Sequence, residues 1–168
     1  MEIKEMKLYR INTNYVKYLQ AFDINVKNNE KDNSIRPYIG VVLTVNNCNY
    51  YIPVCSKRKK HYNMYDSIDF IKLGEGKNLI SVLNVNNMIP VPYKYITLID
   101  IDNEPDNQKI VLKKEAVFIR KKKEQIIKSA KDVYHIKTNH PKDNPKLSMR
   151  CADFKLLEQK MKEYITQN

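Results

Sequence analysis

Hydrophobic periodicity passes from mainly strand-like to helical about two thirds of the way along this chain, and that change restricts the fold more than any other feature. Up to about Ile101, apart from one short helical stretch near the start, the apolar residues recur at every second position or in short continuous runs. From Asp106 to Ile136, and again after Asp153, they recur with helical spacing. A period of two puts alternate side chains on opposite faces of a strand, whereas a 3.6 period lines one face of a helix. A parallel α/β fold would interleave helices between its strands. Strands first and helices last favour a compact α+β domain with a mostly antiparallel, twisted sheet. A chain of 168 residues is expected to form one domain, 1–168, with a core that needs neither disulfide nor metal.

Met6–Ile11 alternates as a half-buried strand does. Thr13-Asn14 offers an N-cap, and Tyr15, Tyr18, Leu19 and Phe22 follow with the spacing of a short amphipathic helix. Asn25–Ser34 is polar and reads as an exposed loop. Tyr38–Val45 is β-branched and apolar on both faces, which predicts a central strand. Asn46-Asn47 supplies turn chemistry, and Asn49–Val54 returns as the hairpin partner. Pro53 has no N–H to donate and is expected at an edge or a strand end. Cys55–His61 reads as a basic loop. Phe70–Leu73 and Leu79–Leu83 flank a turn at Gly74–Lys77, and Met88–Val91 and Tyr95–Ile101 continue the sheet. The helical stretch Asp106–Ile136 is long enough to contain a break. Thr138–Ser148 holds Pro141 and Pro145 and reads as a loop. Asp153 is placed to cap a last helix with Phe154, Leu157, Met161 and Tyr164 on one face.

Charge narrows the function. Thirty Lys+Arg against 19 Asp+Glu leave a net +11, a field that attracts polyanions such as RNA, DNA or an anionic membrane. Twelve tyrosines suit either a sheet core or stacking on unpaired bases. With only three glycines there is little room for a phosphate-cradling glycine loop. The spacing of Cys48, Cys55 and Cys151 fits no zinc signature. There is no charged leader with an apolar core, nor any apolar run near ~18–20 residues, so a cytoplasmic protein without a membrane anchor is expected.

The densest chemistry is Ser56-Lys57-Arg58-Lys59-Lys60-His61, cations between a hydroxyl and an imidazole. Cleaving RNA requires a 2′-OH that loses its proton, neutralisation of the charged phosphorane, and a 5′-oxygen that gains a proton. Lys and Arg serve the second need, Arg as a planar clamp, and His serves the first or third. The bland reading of the same residues is a solvated loop. Metal-dependent cleavage would need clustered carboxylates. Asp100 and Asp102 stand on one face of a strand-like segment, and Asp66 and Asp69 flank a short run, but neither pair has an obvious third ligand. His135 and His140 read as surface histidines and Cys151 as a buried structural thiol. Lys113, Lys114, Lys121, Lys122 and Lys123 on the long helix form either a solvated face or a contact for an RNA backbone. A non-catalytic RNA-binding module is the alternative. A DNA-binding regulator lacks a helix-turn-helix signature.

Several segments, in order, resemble one family. Lys7–Ile11 with Tyr15–Leu19 is similar to its opening strand and helix. Arg36-Pro37-Tyr38-Ile39-Gly40-Val41-Val42-Leu43 is similar to its basic, aromatic and Ile-Gly-x-x-Leu strand. Tyr50–His61 (YYIPVCSKRKKH) resembles a segment that ends Ser-Pro-Lys-x-Lys-His, Met88–Val91 a Met-Ile-Pro motif, and Arg150–Lys160 (RCADFKLLEQK) a last helix of Cys-x-Phe-x-x-Leu-Glu-x-Lys type. The family is that of the ToxN/AbiQ/CptN-like endoribonuclease toxins of type III toxin–antitoxin systems, and the CptN-like flavour is nearest.

This resemblance implies a curled antiparallel sheet flanked by helices, distantly like toxins of the MazF/Kid type. It implies metal-independent cleavage, without a cofactor, that leaves a 2′,3′-cyclic phosphate and a 5′-OH. It implies a small RNA antitoxin, a pseudoknot cut from tandem repeats, in a closed toxin–RNA assembly, with cellular or phage mRNA as substrate and a role in phage defence or plasmid maintenance. Position by position, Arg36 falls on a basic residue near the active site, Cys55 on a Thr or Ser, Ser56 on the family serine, Lys57 on a proline and Arg58 on a lysine. Lys60 and His61 match the closing Lys-His. Arg at position 58 keeps the charge but not a proton-transfer role, and Cys55 replaces a hydroxyl with a weak donor. The expected roles are therefore Ser56 orienting the phosphate or 2′-OH, Arg36 and Arg58 clamping phosphate, and Lys60 with His61 moving protons. Lys57, Lys59, the lysines of the long helix and Arg150 are expected to contact RNA.

Overall fold

A computed structural model describes residues 5–31 and 34–168. The chain begins with β1 (Lys7–Ile11) and α1 (Thr13–Gln20), followed by the short strands β2 (Glu30–Lys31) and β3 (Ser34–Ile35). Then come β4 (Pro37–Val45), β5 (Cys48–Ser56), β6 (Phe70–Glu75), β7 (Asn78–Asn84), β8 (Ile89–Pro90) and β9 (Ile96–Leu98). Helices complete it: α2 (Asp106–Lys121), α3 (Lys123–Asn139), α4 (Pro145–Arg150) and α5 (Phe154–Gln167). This is the α+β order expected from the periodicity.

The main sheet runs β6-β7-β5-β4-β1-β9, and each of these pairings is antiparallel. β5 is its hub. One side pairs with β4; the other pairs first with β8, at Tyr50 and Tyr51, and then with β7, at Val54–Ser56. Pro53 lies inside this central strand opposite Tyr38, not at an edge. It is tolerated because it falls between the stretches claimed by β8 and β7, where the ladder changes partner. The β4–β5 turn sets Asn46 at φ 52° and Asn47 at φ 60°, the left-handed pair that a tight two-residue hairpin requires. A side chain at Gly40 would run into the Tyr51 ring across the same hairpin, so this position of β4 accepts only glycine without repacking.

Tyrosines fill much of the core. Tyr15, Tyr38, Tyr50 and Tyr51 are fully buried, so they serve packing and not base stacking. α3 lies on β4, α5 on β8, and α2 covers β6 and β7. Glu158 of α5 is buried, yet its carboxylate accepts hydrogen bonds from Tyr50 Oη and Tyr134 Oη (both 2.7 Å) and from Asn46 Nδ2 (3.3 Å). Buried charge is tolerated when it is bonded in this way, and the network ties the hairpin turn to α3 and α5.

Several boundaries differ from expectation. Asn12, not Thr13, caps α1, its Oδ1 accepting from Tyr15 N–H at 3.1 Å, and Phe22 lies beyond the helix end. The stretch 25–34 is not a wholly exposed loop: Val26 and Asn29 are buried, and Asn29 Nδ2 donates to Ile11 O and Thr13 Oγ1. Residues 32 and 33 of that stretch lie outside the described residues. The long helix breaks at Lys122. α3 continues to Asn139 and Pro145 opens α4, so the expected loop over 138–148 is confined to 140–144; proline suits the first helical position, where its missing N–H would have no helical partner. Asp153 caps α5 as its position suggested, accepting from Leu156 N–H at 3.2 Å.

Candidate active site

β5 carries the chain to Ser56 and releases it into the basic run, which a 3-10 turn over Lys59–Asn63 folds back at once. The turn brings His61 beneath a cleft of about 280 Å³. Arg36, Cys55, Ser56, Arg58, Lys60 and His61 all line it, so residues up to 25 positions apart in sequence share one concavity. Arg36 is held at the β3–β4 junction: its Nε donates to Asn28 O (2.8 Å) and its Nη1 to Val54 O (3.2 Å) and Cys55 Sγ (3.3 Å). Asn84 Nδ2 donates to the same sulfur at 3.2 Å. Cys55 therefore serves as an acceptor that orients two donors, a task its weak S–H does not hinder.

The imidazole of His61 is constrained on several sides. The backbone N–H of Arg58 donates to His61 Nδ1 at 2.8 Å, His61 N–H returns to Arg58 O at 2.9 Å, and the ring packs on Phe70 at 5.4 Å. Burial pushes its pKa below the usual histidine value, and the charges of Lys60, Arg58 and Lys72 push the same way. A nitrogen that accepts from an N–H carries no proton of its own, so the ring is neutral with its hydrogen on Nε2. In that form His61 offers the cleft a donor. It cannot accept a proton at Nε2 without first giving up the bond at Nδ1, which favours the donor of the two proton-transfer roles left open for it.

The cleft also includes Lys27, Asn28 and Asn84, which the sequence reading did not single out. Lys27 and Asn28 sit in a polar stretch with no motif, and Asn28 contributes through its carbonyl, which any residue could supply. Other basic residues are spent elsewhere. Lys57 turns from the cleft and donates to Leu79 O at 2.6 Å, and exposed Lys59 does not line the cleft. Lys122 binds Asp66 Oδ2 (2.9 Å) and Lys72 O (2.6 Å) and staples the α2–α3 break to the loop before β6. Arg150 grips the buried Asp69 through Nε (2.6 Å) and Nη2 (2.9 Å), with about half of its own side chain still exposed. Lys113 stands 3.7 Å from Asp102, Lys121 lies over the Phe118 ring, and Lys114 is exposed while Lys123 is half-buried. Asp66 and Asp69 are thus ion-pair partners, and Asp100 and Asp102 lie beyond β9. The His135 and His140 rings meet at 4.9 Å, tilted by 59°, at the exposed end of α3, and burial pushes the Cys151 thiol up to about 12.

Comparison with known proteins finds relatives over nearly the whole chain. Residues 7–162 match the family described as toxin ToxN of the type III toxin–antitoxin system. The endoribonuclease ToxN of Bacillus thuringiensis subsp. kurstaki is 33% identical over 165 residues, 94% of this chain and 84% of that protein. A solved type III toxin structure, from work on selective toxin inhibition by a non-coding RNA pseudoknot, superposes with a TM-score of 0.86 at 32% identity, covering 96% of this chain and 98% of that one. The structure of AbiQ, a lactococcal anti-phage endoribonuclease of the same system type, superposes with a TM-score of 0.83 at 26% identity, covering 96% and 98%. With a sheet order that delivers Ser56 and the basic turn to one cleft, and a family match over nearly its whole length, the chain belongs to the ToxN family of type III toxin–antitoxin toxins.

Proposed function

We propose that this chain is the toxin of a type III toxin–antitoxin system, a single-domain endoribonuclease that cuts RNA by attack of the substrate's own 2′-OH. The observation that carries this reading is the convergence of Arg36, Ser56, Arg58, Lys60 and His61 on one cleft whose described lining includes no carboxylate. Cations and neutral donors are what a phosphorane needs. In the step, the 2′-oxygen bonds to the adjacent phosphorus and the bond from phosphorus to the 5′-oxygen breaks. The 2′-OH proton departs and the 5′-oxygen takes one up, which leaves a 2′,3′-cyclic phosphate and a 5′-OH. Arg36 and Arg58 neutralise the phosphate, and Ser56 at the end of β5 orients it. His61 donates from Nε2 to a phosphoryl or leaving oxygen, and Lys60 carries the proton transfer.

The inhibitor in this reading is a small RNA pseudoknot that closes with the toxin into a heteromeric assembly, and the biological role is phage defence or plasmid maintenance. Support comes from the relatives, one studied for inhibition by a pseudoknot and one for anti-phage activity, and from the net charge of +11, which favours any RNA partner. Lys59, Lys113, Lys114, Lys121 and Lys123 are the basic side chains best placed to meet an RNA backbone. We also read the antiparallel sheet with flanking helices as a distant counterpart of the MazF/Kid scaffold. No helix among the described residues is long and apolar enough to cross a membrane, in keeping with action in the cytoplasm.

Incubating the purified protein with mRNA in EDTA and analysing the fragment ends tests the reaction. Fragments with cyclic phosphate and 5′-OH ends are expected. RNA that binds tightly but stays intact would overturn the enzyme reading in favour of a binding module.

A further inference from the structure

One cation in the cleft is left without a task. Lys27 lines it beside Arg36, Arg58 and Lys60, and its ammonium forms no hydrogen bond or ion pair among the described residues. It does not sit on a loose loop. Val26 before it and Asn29 after it are buried; Asn29 Nδ2 donates to Ile11 O and Thr13 Oγ1 (both 3.0 Å), and Asn29 O accepts from Arg36 N–H at 2.7 Å. The segment is pinned on both sides of Lys27 and presents that half-buried side chain to the cleft. A backbone held in this way needs little further ordering when the side chain binds. Four cations in one concavity of about 280 Å³, whose described lining has no carboxylate, repel one another until anions enter. A single phosphodiester brings only one negative charge.

We propose that Lys27 binds a second phosphate of the same RNA strand, the neighbour of the one that is cut. The inference rests on the reading of the chain as a ribonuclease and defines how that enzyme holds its strand. The scissile phosphate belongs with Ser56, Arg58 and His61, which β5 and the turn after it deliver. Lys27 comes from the other side of Arg36. The Arg36 guanidinium donates through Nε to Asn28 O (2.8 Å) and through Nη1 to Val54 O (3.2 Å) and Cys55 Sγ (3.3 Å), so it stands between the Lys27 segment and the end of β5. A strand that runs from Ser56 past Arg36 meets Lys27 one phosphate further along. Lysine suits the position because its ammonium is a compact charge on a flexible stem, with three donors that turn to meet a phosphate oxygen. Such a contact fixes the register of the strand and carries no base information.

A DNA strand with a single ribonucleotide has one 2′-OH, so the proposed reaction can cut it at one phosphate only and the register is fixed. An uncharged methylphosphonate at either neighbouring linkage then removes one charge beside the cut. At one of the two flanks this should lower the kcat/KM of the wild type about tenfold. Lys27→Met, with circular dichroism confirming the fold, should lose about tenfold on the unmodified strand and nothing further from that methylphosphonate. Lys27→Gln should behave as Lys27→Met does, whereas Lys27→Arg keeps a cation and should keep the sensitivity. A substitution that costs the wild type nothing at either flank, or costs the folded uncharged variants as much as the wild type, overturns the proposal. Anisotropy with an all-deoxy strand reads binding without cleavage. The slope of log affinity against log salt should be shallower by about 0.7 in Lys27→Met, and an unchanged slope overturns the proposal. A wild type that cuts neither this strand nor mRNA overturns the ribonuclease reading instead, and the salt slope then decides the phosphate contact by itself.

Discussion

Substituting Gln for Glu115 should change how stability varies with pH, in the direction opposite to that of a salt-bridged carboxylate. Burial raises the pKa of this group in the fold from 4.5 to about 7. Between those values the folded protein holds a proton that the unfolded chain has released, so stability falls as pH rises. The contribution is complete below pH 4.5 and gone above about 7. At ~1.4 kcal/mol for each tenfold change in proton affinity, the full effect is about 3 kcal/mol. Urea unfolding at pH 5 and pH 8 would measure it, with wild type and Glu115→Gln compared in matched buffers. The advantage of wild type over variant should shrink by roughly 2–3 kcal/mol between the two pH values. His61 acts with the opposite sign, since its lowered pKa makes stability fall as pH drops through the values below 6.5. Both proteins contain His61, so it cancels in the difference. Parallel stability curves would refute the argument, because a carboxyl that titrates alike in both states has not been desolvated by the fold.

The remaining predictions concern the cleft and its support. His61→Asn keeps an acceptor near the Nδ1 position and should fold nearly as well as the wild type, yet lose about 10²–10⁴ in cleavage rate on a fluorogenic RNA because the Nε2 donor is gone; full activity would remove His61 from the mechanism. Arg150→Ala leaves Asp69, whose side chain is 6% exposed, charged and without its clamp. It should cost about 3 kcal/mol in urea unfolding, and adding Asp69→Asn should recover most of that loss. Additive losses in the double variant would mean that the pair is not coupled.

The succession of strands then helices, the β4–β5 hairpin, the break in the long helix and the cap at Asp153 were legible because each depends on residues adjacent in sequence. So was the membership of Arg36, Cys55, Ser56, Arg58, Lys60 and His61 in one site, although Arg36 was reached through family resemblance. Pro53 was misplaced because a strand's neighbours are not encoded next to it: the gap between β8 and β7 exists only once β5 has partners on both sides. Arg150 and Lys122 looked like free cations because their anions, Asp69 and Asp66, lie 81 and 56 residues away.

Periodicity, charge and the basic run after β5 determine by themselves that this chain forms an antiparallel α+β domain whose surface attracts polyanions. Those properties are set by nearest neighbours and by sums over the whole composition. Tertiary structure alone decided which nitrogen of His61 carries the proton, which lysines and arginines meet an anionic partner, and that Glu115 on the long helix is buried. Each of these depends on a donor, an acceptor or a low-dielectric wall brought from a distant part of the chain, and the energy of a polar group is governed by what surrounds it.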